Sequence, residues 1–437
     1  MCFEEADYEL ASAYAEVQEA VMSISNDNIH EIVKTLINSQ FKNDTKFIND
    51  LILTAAHYRP LKLHELALMT GQLFEHINGL KSMLLIFPLR VLESRWHIAF
   101  ILECNIAGVI SDEDALFSLH KYHQTYPAMG TRYLIFQYFS RIVKTHEPEY
   151  YQEFFDFLKE IMHPLDFDKS PNFLNESPEY EDQVRNWYPK NSIERIIRDD
   201  DLNSFKEIVA QNPEFDVNSR SHNKSVFCYS QMLRFNVSYL ELAAFFGSFN
   251  IFSFLVQTGA NRFNLHLVSR FAIAGGNFDI VEMCDIDDDI NKSIEAASEY
   301  FRFSIFQWIF DTKLDNIEDV EATKASFLHF CAKANNIQML LFLLDQGCDI
   351  NKPDETHWTP LHYAANERCI EAIKVILKCK NLNLEPGTPY FIFILISYQF
   401  YFLLFLFKFH ISILNRATSQ YDFAEAQNLL GFLRGDQ

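Results

Sequence analysis

The sequence predicts an all-α protein, a solenoid of stacked helix pairs preceded by an α-helical N-terminal domain. Three observations carry this reading. The heptad Thr359-Pro360-Leu361-His362-Tyr363-Ala364-Ala365 has a degraded copy 33 residues upstream, Ser326-Phe327-Leu328-His329-Phe330-Cys331-Ala332. Residues 1–190 place apolar side chains at helical spacing. The 437 residues hold only 12 Gly against 42 Phe, and 49% are hydrophobic, which suits packed helices better than β-sandwiches or disorder.

In the N-terminal segment, Leu10, Ala13 and Val17 form one apolar stripe. Ile29, Ile32, Val33 and Leu36 form a second, and Leu63, Leu66, Leu73 and Ile77 a third. Pro60, Pro88, Pro127, Pro148 and Pro164 punctuate the segment, because proline cannot sit inside a helix. Two aromatic helices follow, around 133–139 and 153–158, and a loop over 163–189 ends the segment.

The repeats come next, and one template describes them. Thr caps a first helix, Pro takes the first-turn position that needs no N–H, and Leu and the two Ala face the neighbouring unit. A Gly or Asn turn leads to a second helix, then a G-x-D-x-N loop. The unit from Ser326 continues with Asn335-Asn336, Met339-Leu340, Leu343-Leu344 and Gly347 to Asn351. The unit from Thr359 continues with Ile370, Ile373, Val375, Ile376 and Leu377. Upstream, the alanine position is held by Ala243, Ala272 and Ala297, and a weaker unit starts near Ile193. This heptad at this period resembles the ankyrin repeat. Arg270-Phe271-Ala272 with Gly276 to Val281, and Glu299 to Phe303 with Trp308-Ile309-Phe310, resemble the middle repeats of the large ankyrin families of protists. Those families place a helical N-terminal domain first, divergent repeats next and clearer repeats last. The resemblance implies a β-hairpin after each loop, and a protein-binding array with no chemistry of its own.

The next unit starts at Thr388-Pro389 and then breaks off. Its alanine, Ala417, lies 29 residues after Thr388, where the intact unit needs 5, so about 24 residues are inserted. Three readings stand for this insert, residues 391–415. Phe391 to Phe407 is a near-apolar run at the lower limit for a membrane span. It could instead be a buried helix, or translated non-coding sequence. Composition favours the last, since the insert has no Ala, Val, Gly, Pro, Asp or Glu. The expected segments are therefore 1–189 (helical domain), 190–325 (divergent repeats), 326–390 (clear repeats), 391–415 (insert) and 416–437 (the rest of the last repeat).

The formal net charge of −22 argues against nucleic acid and anionic membrane as partners. The eight Cys lack C-x-x-C spacing and read as reduced thiols, and the acidic N-terminus reads as no signal peptide, so a cytoplasmic protein is expected. Asp285 to Asp289 looks like a calcium loop but lacks its Gly and its bidentate Glu. No phosphate-cradling, nucleophile or zinc motif occurs. His329 and His362 fall in the heptad, where the family's imidazole bonds the backbone and the capping hydroxyl. The expected function is a non-enzymatic scaffold, a monomer without cofactor or metal, that binds a protein partner. Asp354, Glu355, His357, Trp358 and Tyr363 are the candidate contacts, because an aromatic with charged neighbours on a loop dominates interface energetics. Two alternatives remain, a membrane-tethered adaptor through 391–407 and an enzyme in 1–189.

Overall fold

The computed structural model describes residues 2–383, apart from 87–93, 126–128, 162–179, 222–227, 234–235, 261–264, 285, 287–289 and 315–319. The insert at 391–415, the 416–437 segment and most of the acidic 285–289 loop lie outside the described residues. The described residues are helical and form no strand, with one isolated bridge between Arg220 and Ser238. Two compact units divide the chain. One combines the described parts of Met1–Glu19 and Ile286–Gln437, and the other is Ala20–Asp285.

The helices run in order: α1 (Glu5–Met22), α2 (Ile29–Asn38), α3 (Thr45–Tyr58), α4 (Leu63–Phe74), α5 (Leu80–Leu84), α6 (Ser94–Ile106), α7 (Asp112–Thr125), α8 (Met129–His146), α9 (Pro148–Ile161) and α10 (Tyr180–Asn186). Then come α11 (Ile193–Arg198), α12 (Leu202–Gln211), α13 (Tyr239–Phe246), α14 (Phe249–Gln257), α15 (Leu265–Gly275) and α16 (Phe278–Met283). The last six are α17 (Ile290–Glu299), α18 (Phe303–Lys313), α19 (Val320–Lys333), α20 (Ile337–Asp345), α21 (Pro360–Glu367) and α22 (Ile370–Leu377).

The second stripe is α2, with Ile29, Ile32, Val33 and Leu36 all buried. Leu66, Leu73 and Ile77 of the third are buried too. The first stripe is rotated. In α1 the buried residues are Ala11, Tyr14, Val17, Gln18, Val21 and Met22, while Leu10 and Ala13 are only half-buried. The buried Gln18 is hydrogen-bonded, which apolar periodicity cannot reveal. The two aromatic segments are α8 and α9, and they meet through Phe136 and Phe154, with ring centroids 4.1 Å apart.

Helices α11 to α22 form six pairs. Among the described residues, six inter-helix turns share one backbone. Asp200, Gly247, Gly276, Phe301, Asn335 and Arg368 all adopt positive φ, at 52°, 70°, 81°, 53°, 56° and 61°. The last five each stand four residues after the alanine position of their unit. Five of the six turns close with the same bond, from the next residue's N–H to the carbonyl five residues back. These bonds are Asp201 to Ile196 (3.1 Å), Ser248 to Ala243 (2.9 Å), Arg302 to Ala297 (2.9 Å), Asn336 to Cys331 (2.9 Å) and Cys369 to Ala364 (2.8 Å). This is the left-handed helix cap, which satisfies carbonyls that the first helix leaves open.

Within each compact unit, side chains then tie neighbouring turns together. Ser248 Oγ donates to Ile197 O at 2.6 Å, and Asn277 Nδ2 to Gly247 O at 3.0 Å. Asn336 Nδ2 donates to Ser298 O at 3.0 Å, and Cys369 Sγ to Lys333 O at 3.2 Å. In the reverse direction, Asp200 accepts from the backbone N–H groups of Asn250 and Ile251. Asn335 Oδ1 likewise accepts from Ala372 N–H at 2.9 Å. The first helices stack closely at Gly275, where a Cβ would lie 2.4 Å from Ala244 O, so no larger residue fits without a shift.

Candidate functional site

The loop from Gly347 to Thr359 joins α20 to α21 and carries four of the five candidate residues. Its expected β-hairpin does not form, and no strand appears there. The reason is Asp354, whose side chain takes backbone N–H groups that a strand ladder would use. Asp354 Oδ1 accepts from Thr356 N–H and Trp358 N–H, each at 2.9 Å, and from Thr356 Oγ1 at 2.7 Å. Asp354 Oδ2 accepts from Tyr363 Oη at 2.6 Å. Asp354 N–H donates to Trp358 O at 2.9 Å and closes the loop.

The network sets the local charge. Burial pushes the Asp354 carboxyl up, but the bonds from Tyr363, Thr356 and the Trp358 backbone outweigh it and hold the pKa at about 2. Burial, reinforced by the carboxylate, pushes the Tyr363 phenol up to about 12. Trp358 packs edge-on against Tyr363 with centroids 5.3 Å apart and is tilted against His362 at 6.2 Å.

The two heptad histidines brace the loop. His329 Nε2 lies 3.0 Å from Trp358 O. His362 Nδ1 accepts from Thr359 N–H at 3.1 Å and lies 2.8 Å from Thr359 Oγ1, which locks the start of α21. Burial lowers the pKa of His362, favouring the neutral ring that this acceptor role needs.

The structure thus brings Asp354, Trp358 and Tyr363 together as a half-buried base. Glu355 and His357 stand exposed at the tip, with His357 in the left-handed region at φ 64°. Sequence reasoning missed Thr356. Its signal is the Asp-x-Thr spacing, which lets one carboxylate hold both the backbone and the hydroxyl two residues on.

Within Ala20–Asp285, the buried Glu103 of α6 joins three helices. Arg185 Nε lies 3.2 Å from each of its oxygens, and His64 Nδ1 lies 2.8 Å from Oε1. Both carboxylate oxygens are already engaged, as in a structural cross-link. Among the described residues, no group of three His, Cys, Asp or Glu could hold a metal. No helix among them is long and apolar enough to cross a membrane.

A family profile described as "Ankyrin repeats (3 copies)" matches residues 294–386. An ankyrin repeat protein of fowlpox virus (strain NVSL) is 30% identical over 137 residues, 31% of this chain and 20% of the relative. An ankyrin repeat protein of Rickettsia bellii (strain RML369-C) is 40% identical over 50 residues, 11% of this chain and 52% of the relative. The chain thus spans about a fifth and about half of these two relatives. The crystal structure of the human ASB11 ankyrin repeat domain aligns with 47% of this chain and 96% of its own, at TM-score 0.31 and 17% identity.

Proposed function

We propose, from the ankyrin repeats that the chain carries in residues 294–386, that it is a non-enzymatic scaffold gripping a protein partner with the exposed tip of the 354–358 loop. One observation carries the reading. The loop is built as a rigid base, Asp354, Trp358 and Tyr363, beneath an outward tip, Glu355 and His357. A preorganised tip loses little conformational entropy on binding. Glu355 and the net charge of −22 suit a basic partner surface.

A cytoplasmic monomer, free of cofactor and nucleic acid, belongs to the same proposal. So does the division into 1–189, 190–325, 326–390, 391–415 and 416–437. Proximity labelling with the full chain tests it, comparing wild type with Glu355→Lys/His357→Asp. The variant, whose changes lie outside the base, should keep the wild-type melting curve and lose a defined set of labelled proteins. An identical labelled set from both chains would refute the tip as the contact.

A further inference from the structure

Helix α1 runs antiparallel to α20 and α22, the second helices of the last two described pairs. Its start lies at their C-terminal ends. Lys380 N–H donates to Cys2 O at 2.7 Å, and Tyr8 Oη donates to Asp345 at 2.9 Å. Lys378 pairs with Asp7 at 3.4 Å and Lys380 with Glu4 at 2.7 Å. At mid-length, Lys374 Nζ stands 5.7 Å over the Tyr14 ring and 3.4 Å from its hydroxyl. The end of the run reaches the start of α20. There Gln18 Nε2 donates to Asn335 O at 2.8 Å, and Ile337 N–H donates to Gln18 Oε1 at 3.0 Å.

These contacts follow from helix physics. Ile337 N–H is one of the first-turn donors that no carbonyl within its own helix can satisfy. Gln18 supplies the acceptor, as Asp200 does for Asn250 and Ile251 in the other unit. Carboxylates at the start of α1 face lysines at the end of α22, so each charge also complements its own helix dipole. Gln18 is only 5% exposed, whereas Glu4 is 71% and Lys380 45% exposed. Exposed pairs are weak and screened by salt, so the ion pairs at the start of α1 contribute less than the buried bonds of Gln18.

We infer that the groove between α20 and α22 is a helix-binding site, occupied in cis by residues 2–18 of this chain, with Gln18 as the positioning residue that sets the register. The site fits an antiparallel helix with an acidic first turn, an aromatic midway and a buried Gln at its far end. It stands independently of the loop-tip reading, because none of its contacts involves residues 354–358.

Hydrogen exchange on the full chain tests it. Gln18→Ala should speed exchange of the Ile337 amide about tenfold or more, the scale of one lost buried hydrogen bond. Gln18→Glu keeps the acceptor for Ile337 and loses the donor to Asn335, so it should fall between; it also carries the test if Gln18→Ala fails to fold. Lys378→Glu/Lys380→Glu should deprotect the start of α1 and leave Ile337 protected. Unchanged Ile337 exchange in the alanine and glutamate variants would overturn the site.

Discussion

The turns at Asn335 and Arg368 have nearly the same backbone and different support. Both residues are left-handed, at φ 56° and 61°, and both are followed by the same closing bond. Asn335 is tied into the next pair. Its Oδ1 accepts from Ala372 N–H, and its Nδ2 donates to Glu371 at 2.8 Å. Arg368 is exposed at its turn, and a long side chain gains nothing from left-handed backbone. The same φ is thus adopted readily by Asn in one turn and at a backbone cost by Arg in the other. The stacking of the pairs sets the turn, and the residue at the turn adjusts its cost.

The largest effect should come from attacking the stacking itself. Leu361 and Ala364 are 3% and 0% exposed and face the adjoining pair. Leu361→Asp buries an unpaired charge and should cost about 3 kcal/mol or more. If stacking sets the turns, the amides after both Asn335 and Arg368 should lose exchange protection together. A melting curve like that of wild type would break the comparison.

A smaller effect should appear in the loop, where Asp354 plays the part that Asn335 plays in its turn. Asp354→Asn should cost about 2 kcal/mol near neutral pH, the usual worth of bonds to a charged acceptor. The folded carboxyl titrates at about 2, below the roughly 3.9 of an unfolded Asp. Its contribution is therefore complete above about pH 4 and lost as pH falls through about 2. The stability difference between wild type and Asp354→Asn, from denaturant titrations, should shrink steadily over that window. A pH-independent difference would mean the carboxylate charge does not hold the loop.

Much of the fold was legible. The alanine positions Ala243, Ala272, Ala297, Cys331 and Ala364 each mark a turn four residues later, because small residues are required where first helices stack. The turn residues themselves were not legible. Glycine announces left-handed backbone at Gly247 and Gly276, whereas Phe301, Arg368 and Asp200 announce nothing, since packing forces the conformation on them. The hairpin expectation failed at Asp354, because sequence does not say whether a loop carboxylate turns inward. Asp354, Trp358 and Tyr363 read as candidate contacts and are bonded or packed to one another. Gln18 was invisible because its partners lie more than three hundred residues away in the chain.

The most direct test of the central claim is one substitution made at both turns. Asn335→Gly should destabilise by about 1–2 kcal/mol, because it strands the Ala372 N–H and a buried Glu371 oxygen, while Asn already tolerates this backbone. Arg368→Gly should stabilise by about 0.5–1 kcal/mol, because glycine adopts positive φ without strain. Denaturant melts of the two single variants and the wild type give both signs in one experiment. Opposite signs are the predicted result. Two changes of the same sign would mean that side-chain support and backbone cost are not what separates the turns.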